Sequence, residues 1–441
     1  MPTFILVWFG QVISLIGSGL TGFALGVWVY QTTGSVTQFS LIYLFTELPA
    51  ILVAPVAGAI ADRWDRRWVM ILSDTGSGLS TVAIALLLWL GQLEIWQIYL
   101  AMAVSSTCKG FQQPAYYASP TLLVAKEHFG RANGMIQLGK AADHLFAPIL
   151  AGVLVGLIQV RGVILIDFAT FCFALFTLLV VRFPKHQQSP EVQMAQNSLW
   201  QDIGYGWNYI LARPGLLMML MFFVATNFTI GLAQVLVTPM VLSFADAQVL
   251  GRILSLGGSG WLLGAILMST WGGPKRRVYG VFGFELLLGV AILVAGLRPS
   301  PLLITAAAFT LFFCVPMITG CSNAIWQVKV APAVQGRVFA MRGAIAWASF
   351  PLAYLLAGPL ADQVFQPLLS PNGLLASSVG QLIGVGAGRG IGLLFIIIGI
   401  FIILATSATY QYPRIRLVED ELPDAITHST PATDGSRALT P

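Results

Sequence analysis

Gly58-Ala59-Ile60-Ala61-Asp62-Arg63-Trp64-Asp65-Arg66-Arg67 decides how the rest of the chain reads. Its last six residues hold two acids and three arginines, whereas residues 1–57 carry one charge, Glu47, and Trp68–Leu90 carries one, Asp74. Apolar runs of that length cross a bilayer as helices, so the charged stretch is a tight turn on the basic, cytoplasmic face. Gly58 and Asp62 are one helical turn apart, which puts a small residue at a close helix contact above a carboxylate. Arg63, Arg66 and Arg67 then have acids, or carbonyls at neighbouring helix ends, as partners. The plainer reading is a loop that only fixes orientation through its positive charge.

Composition points the same way. Of 441 residues, 57% are hydrophobic and 9% charged, against about 25% charged in soluble domains. Twelve spans of about 20 residues use roughly 240 of them, leaving loops and a tail but no second folded domain. The net charge of +5 sits in loops between spans, so it reports orientation and not nucleic-acid binding. Cys108, Cys172, Cys314 and Cys321 lie in apolar segments without metal spacing, as small core residues do. Phe4–Tyr30 is too long for the apolar core of a leader and reads as the first span.

Apolar runs place helices near 4–30, 38–60, 68–90, 95–118, 132–158 and 162–183, then near 215–243, 250–272, 278–298, 301–325, 337–362 and 390–410. Their loops alternate in charge. One side collects Arg63, Arg66, Arg67, Lys126, Arg131, Arg182, Lys185, Arg213, Lys275, Arg276, Arg277, Lys329, Arg337, Arg342, Arg414 and Arg416; the other only Arg161, Arg252, Arg298 and Arg389. That bias sets both termini in the cytoplasm of a multi-pass protein of the plasma membrane.

The expected fold is all-α: a six-helix bundle over 1–183, a cytoplasmic linker over 184–214, a second six-helix bundle over 215–410, and a disordered polar tail over 411–441. In the linker, Leu199, Ile203, Trp207, Ile210 and Leu211 keep the spacing of an amphipathic helix along the membrane face, ended by Pro214. The halves look repeated. Gly130-Arg131 precedes Ala151-Gly152 by the interval that separates Gly336-Arg337 from Ala357-Gly358, and Arg66-Arg67 has a counterpart in Arg276-Arg277. Parallel six-helix repeats bind substrate between halves near mid-membrane.

At these residues the chain resembles the major facilitator superfamily. Gly58-x-x-x-Asp62-Arg63-x-x-Arg66-Arg67 is similar to its loop 2–3 signature, with Asp65 where Gly is usual. Gly10-Gln11 with Ser14-Leu15-Ile16-Gly17-Ser18, Thr33-Gly34-Ser35, and Gly336-Arg337-Val338-Phe339 resemble the branch that holds macrolide efflux proteins and the enterobactin exporter. The resemblance implies that Asp62, Arg63 and Arg67 latch the halves on the inner side when the cavity faces outward. Ala147-Pro148-Ile149-Leu150-Ala151-Gly152 is similar to the antiporter signature of drug exporters, with Ala147 and Ala151 where Gly is usual. Small residues around a proline also permit close packing and a bend.

Ionisable groups inside a bilayer are costly and are functional or paired. Here they are Glu47, Asp74, Lys109, Lys140, Asp143, His144, Asp167 and Glu285. Asp143 lies roughly 16 Å past the inner end of its helix, with Lys140 and His144 on the same face. That trio reads either as an Asp held by Lys and released on protonation, or as a satisfied ion pair. Glu47, roughly 20 Å from the inner face, is the other proton-carrier candidate. Asp74 and Lys109 stand at similar depths on consecutive spans and read as a structural pair. Asp167 reads as hydrated or capping near the outer end of its span, and Glu285 is unexplained. Asn227, Phe228, Asn323, Trp326 and Tyr116 are candidates to line a cavity for a bulky amphipathic substrate; packing is the competing reading.

Gly384-Val-Gly-Ala-Gly388-Arg389-Gly390 mimics a phosphate loop but lacks the preceding strand and the Lys, and reads as a flexible approach to the last span. No nucleotide, metal or other cofactor is therefore expected, and transport must draw on an ion gradient. The expected activity is proton-coupled efflux of a hydrophobic or amphipathic small molecule, such as a macrolide-like drug, siderophore or secondary metabolite, by a monomer in the lipid bilayer. Its rivals are an uptake symporter or uniporter of the same fold and, in another class, a membrane enzyme or sensor. The chain is not read as an enzyme, because His128 and His144 have no catalytic company.

Overall fold

The computed structural model describes residues 1–125, 128–181, 199–331 and 334–421. Among these residues there are helices and no strands. The first half holds α1 (Pro2–Thr33), α2 (Val36–Arg63), α3 (Arg66–Trp89) and α4 (Ile95–Ala118), then a 52-residue helix, Phe129–Val180. That helix breaks at Gln159, whose φ of 57° and ψ of 179° are not helical, and so forms two crossings, α5 (129–158) and α6 (160–180). The second half holds α7 (Pro214–Leu242), α8 (Ala247–Trp271), α9 (Arg277–Leu297), α10 (Pro301–Lys329), α11 (Gln335–Pro359) and α12 (Arg389–Gln411). Among the described residues ten helices are long and apolar enough to cross a membrane. Counting the broken one twice, and adding α4, whose Lys109, Gln112 and Gln113 lower its hydropathy, gives the twelve crossings of two six-helix bundles.

Each packing in the first bundle has its counterpart six helices on. The α2–α4, α3–α4 and α3–α6 contacts answer to α8–α10, α9–α10 and α9–α12. Between the bundles, α5 meets α8 and α2 meets α11. The α5–α8 seam is made by glycine: a Cβ on Gly152 would stand 2.6 Å from the Ala247 carbonyl, and one on Gly251 would strike the Pro148 carbonyl. Without Cβ atoms the backbones pack directly. On the α2–α11 side Gly358 packs on Thr37, and the Tyr43 and Tyr354 rings lie 5.7 Å apart. All these contacts fall toward the end of the molecule opposite the basic turns. Nearer the basic end, Glu47, Leu138, Lys140 and Trp347 on the facing helices are exposed, so the halves part into a crevice there.

Three segments differ from expectation. The linker helix, Leu199–Leu211, seats Ile210 in the core of the second bundle and lays Gly206 on the first turn of α11. The tail is not disordered from 411: Ile415 and Val418 are buried, and Glu419 accepts hydrogen bonds from the first-turn N–H groups of Arg277 and Val278, capping α9. Residues 422–441 and 182–198 lie outside the described residues. Finally, Gly384–Gly390 is no loose approach to α12. Arg389 is 5% exposed and donates to the carbonyls of Ile383 and of Gly296 at the C-terminal end of α9, where a cation is favoured.

Candidate functional site

The two bundles have unlike interiors. The second is filled largely by one apolar core, with Glu285 buried in it at 1% exposure and a small separate cluster at Leu369, Ile383 and Leu393, whereas the first has separate clusters toward its two ends. Between those clusters runs a polar layer. Asp74 on α3 is 8% exposed and accepts hydrogen bonds from Gln11 of α1 at 2.9 Å and Gln112 of α4 at 2.8 Å; Gln112 also donates to Gln11. The expected Asp74–Lys109 pair is therefore not made. Two amides satisfy the carboxylate directly, and Lys109 acts on it only through space. Asp167, 4% exposed, sits against the Thr81 hydroxyl and Gly17 of α1, so it is buried in the bundle.

Asp143 lies in the same layer. Its carboxylate packs on Gly19 of α1, where the missing side chain leaves it room, and its buried Oδ1 has no hydrogen-bond partner. Lys140 does not hold it. The ammonium instead stands 4.7 Å above the Tyr117 ring at the crevice, where a π face replaces the carboxylate. His144 turns toward the other half and stacks on Trp261 of α8. Glu47 is exposed in the crevice, one turn along α2 from Tyr43. Among the described residues Lys109 has no hydrogen-bond or ion-pair partner, yet it acts electrostatically on Glu47, Asp74, Asp143 and Asp167.

On the other wall the sequence candidates scatter. Asn227 donates to the Ala346 carbonyl and ties α7 to α11. Trp326 is fully buried, and Arg342 stacks 4.9 Å above it while donating to Ser322 and Asn323 of α10. Of that pair only Asn323 is exposed. Phe228 lines an apolar groove of about 540 Å³ between α7, α11 and α12. Tyr116 packs among apolar residues of the first bundle at its basic end. Arg342, assigned to a loop by charge counting, is in fact seven residues inside α11. Gln11, Gln112 and Arg342 were missed because amides carry no charge signal and a basic residue near a helix start looks like a loop. Polar residues recurring on one face of an apolar helix are the signal that finds them.

At the basic turn, Arg66 donates to the Ala118 carbonyl at the end of α4, and Arg67 to the carbonyls of Leu178 and Leu179 at the end of α6. Both satisfy orphan carbonyls where the helix dipole favours cations. The side chains of Gly58, Asp62 and Arg63 lie outside the described residues. Ala147 meets Gly19 of α1, Ala151 is fully buried, and Pro148 and Gly152 form the α5–α8 seam, so this motif is a contact between halves.

The model of the Major Facilitator Superfamily matches residues 7–353. The chain belongs to that superfamily. Macrolide efflux protein A of Streptococcus pyogenes is 25% identical over 378 residues, 82% of this chain and 90% of that protein. The multidrug efflux pump Tap of Mycolicibacterium fortuitum is 25% identical over 367 residues, 81% and 89% of the two. Among solved structures, the nucleoside transporter NupG overlays with a TM-score of 0.69 at 14% identity, covering 93% of this chain and all of that one. A bacterial homolog of the human lysosomal transporter Spinster, captured inward-facing and unoccupied, gives 0.71 at 13% identity, covering 95% and 97%. At such identities these two establish the fold alone. As a major facilitator transporter the chain is a multi-pass membrane protein that moves a small molecule.

The polar layer gives a first testable consequence. Asp74→Ala leaves the buried Gln11 amide without its acceptor, while Gln112 keeps only the Gln11 carbonyl oxygen; a buried donor left so costs about 1–3 kcal/mol. Asp74→Asn keeps one acceptor. A melting temperature in detergent several degrees lower for Asp74→Ala than for Asp74→Asn is expected; equal melting would show that the amides find other partners.

Proposed function

We propose that this transporter exports hydrophobic or amphipathic small molecules in exchange for protons, by alternating access of the two bundles. With its basic end in the cytoplasm, the conformation shown is open inward and sealed outward by the α5–α8 and α2–α11 seams. The observation that carries the reading is the state of two acids. Among the described residues neither Asp143 nor Glu47 has an ion-pair partner, and both stand where the first bundle borders the crevice. A carboxylate at the border of bundle and crevice, without a bonded cation, changes its fit to the two facing states when it gains or loses a proton. Only such a difference in affinity drives a cycle. The efflux names of Macrolide efflux protein A and Tap support the outward direction.

The aromatic wall suits the cargo class. Tyr43, Tyr354, Phe350 and Trp347 form a chain of ring contacts from α2 to α11 beside Glu47. Flat apolar area next to one acid fits a bulky molecule with a polar or cationic group. Inside-out vesicles carrying the protein are expected to accumulate erythromycin or a lipophilic dye when the lumen is made acidic, and to lose the accumulation on adding a proton ionophore. Accumulation that survives the ionophore refutes proton coupling; accumulation only in right-side-out vesicles refutes export.

A further inference from the structure

α11 does not stop at Pro359. It runs on through a π-helical turn, Leu360–Phe365, which carries Asp362 across to the other half. Oδ2 of Asp362 accepts from the Ser35 hydroxyl at 2.9 Å, the Thr37 N–H at 2.8 Å and the Thr37 hydroxyl at 2.8 Å, while Oδ1 accepts from the Val36 N–H at 3.1 Å. Ser35 takes the next donor, Gln38 N–H. The first N–H groups of α2, which no helix can satisfy internally, are thus capped by a residue from the opposite bundle. Gly358, one turn before Asp362, lets the α11 backbone close on Thr37.

The same lettering occurs at the far end of α2. Ala57-Gly58-Ala59-Ile60-Ala61-Asp62 and Ala357-Gly358-Pro359-Leu360-Ala361-Asp362 agree at four of six positions, with Ile for Leu at a fifth. The first stretch lies in the last turns of α2 and the second spans the junction of α11 with its π-helical extension. The partners run in opposite directions: the α11 end lies on the α2 start, so the α2 end is level with the α11 start. In sequence the relation is reciprocal, one Gly-x-x-x-Asp per helix; in the structure Asp362 caps the α2 N-terminus, and Asp62 stands on the backbone at the α2 end level with the α11 start.

We infer that Asp362 is the latch of the face opposite the basic turns, an N-cap across the halves whose making and breaking sets the balance between facing states against Asp62. The inference rests on alternating access but not on proton coupling or export. When the sealed face opens, Ser35 and Thr37 leave the carboxylate, and both the bared N–H groups and the acid must find water. The latch therefore favours the state shown by the value of an N-cap strengthened by two hydroxyls.

The test reads distance, without substrate or gradient. Spin labels at Gln31→Cys and Ser377→Cys, both exposed at the latched face, are placed in a background lacking Cys108 and Cys172 and followed by dipolar spectroscopy in nanodiscs. Asp362→Ala is expected to raise the long-distance population relative to the short by roughly two- to thirtyfold, the range that loss of an N-cap gives. Asp62→Ala is expected to move the ratio the other way. Ser35→Ala with Thr37→Val, which keeps the acid and the backbone donors, gives a smaller shift in the direction of Asp362→Ala and decides the matter if that variant is not monodisperse. An unchanged distribution in Asp362→Ala, or shifts of the same sign in Asp362→Ala and Asp62→Ala, overturns the assignment. Because vesicle transport is not read, a failed proton-coupling assay leaves this result standing, and the reverse.

Discussion

Asp143→Asn is expected to reduce gradient-driven accumulation in inside-out vesicles to the ionophore-treated background, a loss of at least tenfold, while substrate counterflow without a gradient continues. The substitution changes almost nothing but the titration. Asn has the size of Asp, the carboxylate packs on Gly19 with one oxygen unbonded, and no salt bridge is broken because Lys140 is engaged with Tyr117. A folding defect is thus not expected, and equal yield and melting temperature check that. What is lost is a group able to carry a proton between facing states. Glu47→Gln should behave otherwise. Glu47 is exposed one turn along α2 from Tyr43, on the proposed cargo path; its neutralisation should raise KM for a cationic substrate several-fold and leave the maximal rate near that of the parent. Wild-type accumulation in both variants would remove the proton-carrier assignment altogether. Exchange of the two phenotypes would move it to Glu47.

The contrast between these acids shows which parts of the molecule the sequence exposes. A bilayer dictates composition over every stretch of about 20 residues, so the spans, the turn at Asp65–Arg67 and the linker helix can be read without coordinates. The helix C-terminal carbonyls taken by Arg66 and Arg67 follow from the same logic, since orphan carbonyls and arginines meet wherever turns are short. Partnership across helices is different. Lys140 shares a helix face with Asp143, yet Tyr117 of α4 takes it; Asp74 is level with Lys109, yet glutamines from α1 and α4 reach the carboxylate first. Spacing along one helix says which residues share a face, and says nothing of what the neighbouring helix presents there. Aromatic cavity candidates failed for a related reason: Trp326 and Tyr116 are as apolar as the core they pack into, and only Asn323 kept an exposed polar group. The repeated Gly-x-x-x-Asp was legible as letters, but its meaning needed the antiparallel approach of α2 and α11.

Gly251→Val is expected to abolish transport and open the sealed face. A Cβ at Gly251 would overlap the carbonyl of Pro148, which is backbone and cannot swing aside, and the neighbouring Gly152 is held against Ala247 in the same seam. One surplus methyl in a packed interior costs about 1–3 kcal/mol, whereas moving a two-state balance from 1:99 to 99:1 takes about 5.5 kcal/mol. Gly251→Ala therefore slows the cycle without ending it; Val, with two more carbons at the same contact, exceeds the span. Thiol labelling separates failure to close from failure to fold. In a background lacking Cys108 and Cys172, a reporter at Leu138→Cys, exposed on the crevice side of α5, should react with an impermeant maleimide from the latched face in Gly251→Val and not in the parent. Gly22→Ala, with nothing within 4 Å of the added carbon, should match the parent in both assays. Should Gly251→Val transport normally, the α5–α8 seam is not the surface on which the halves close, and the sealed state must be held by the α2–α11 contact and Asp362 alone.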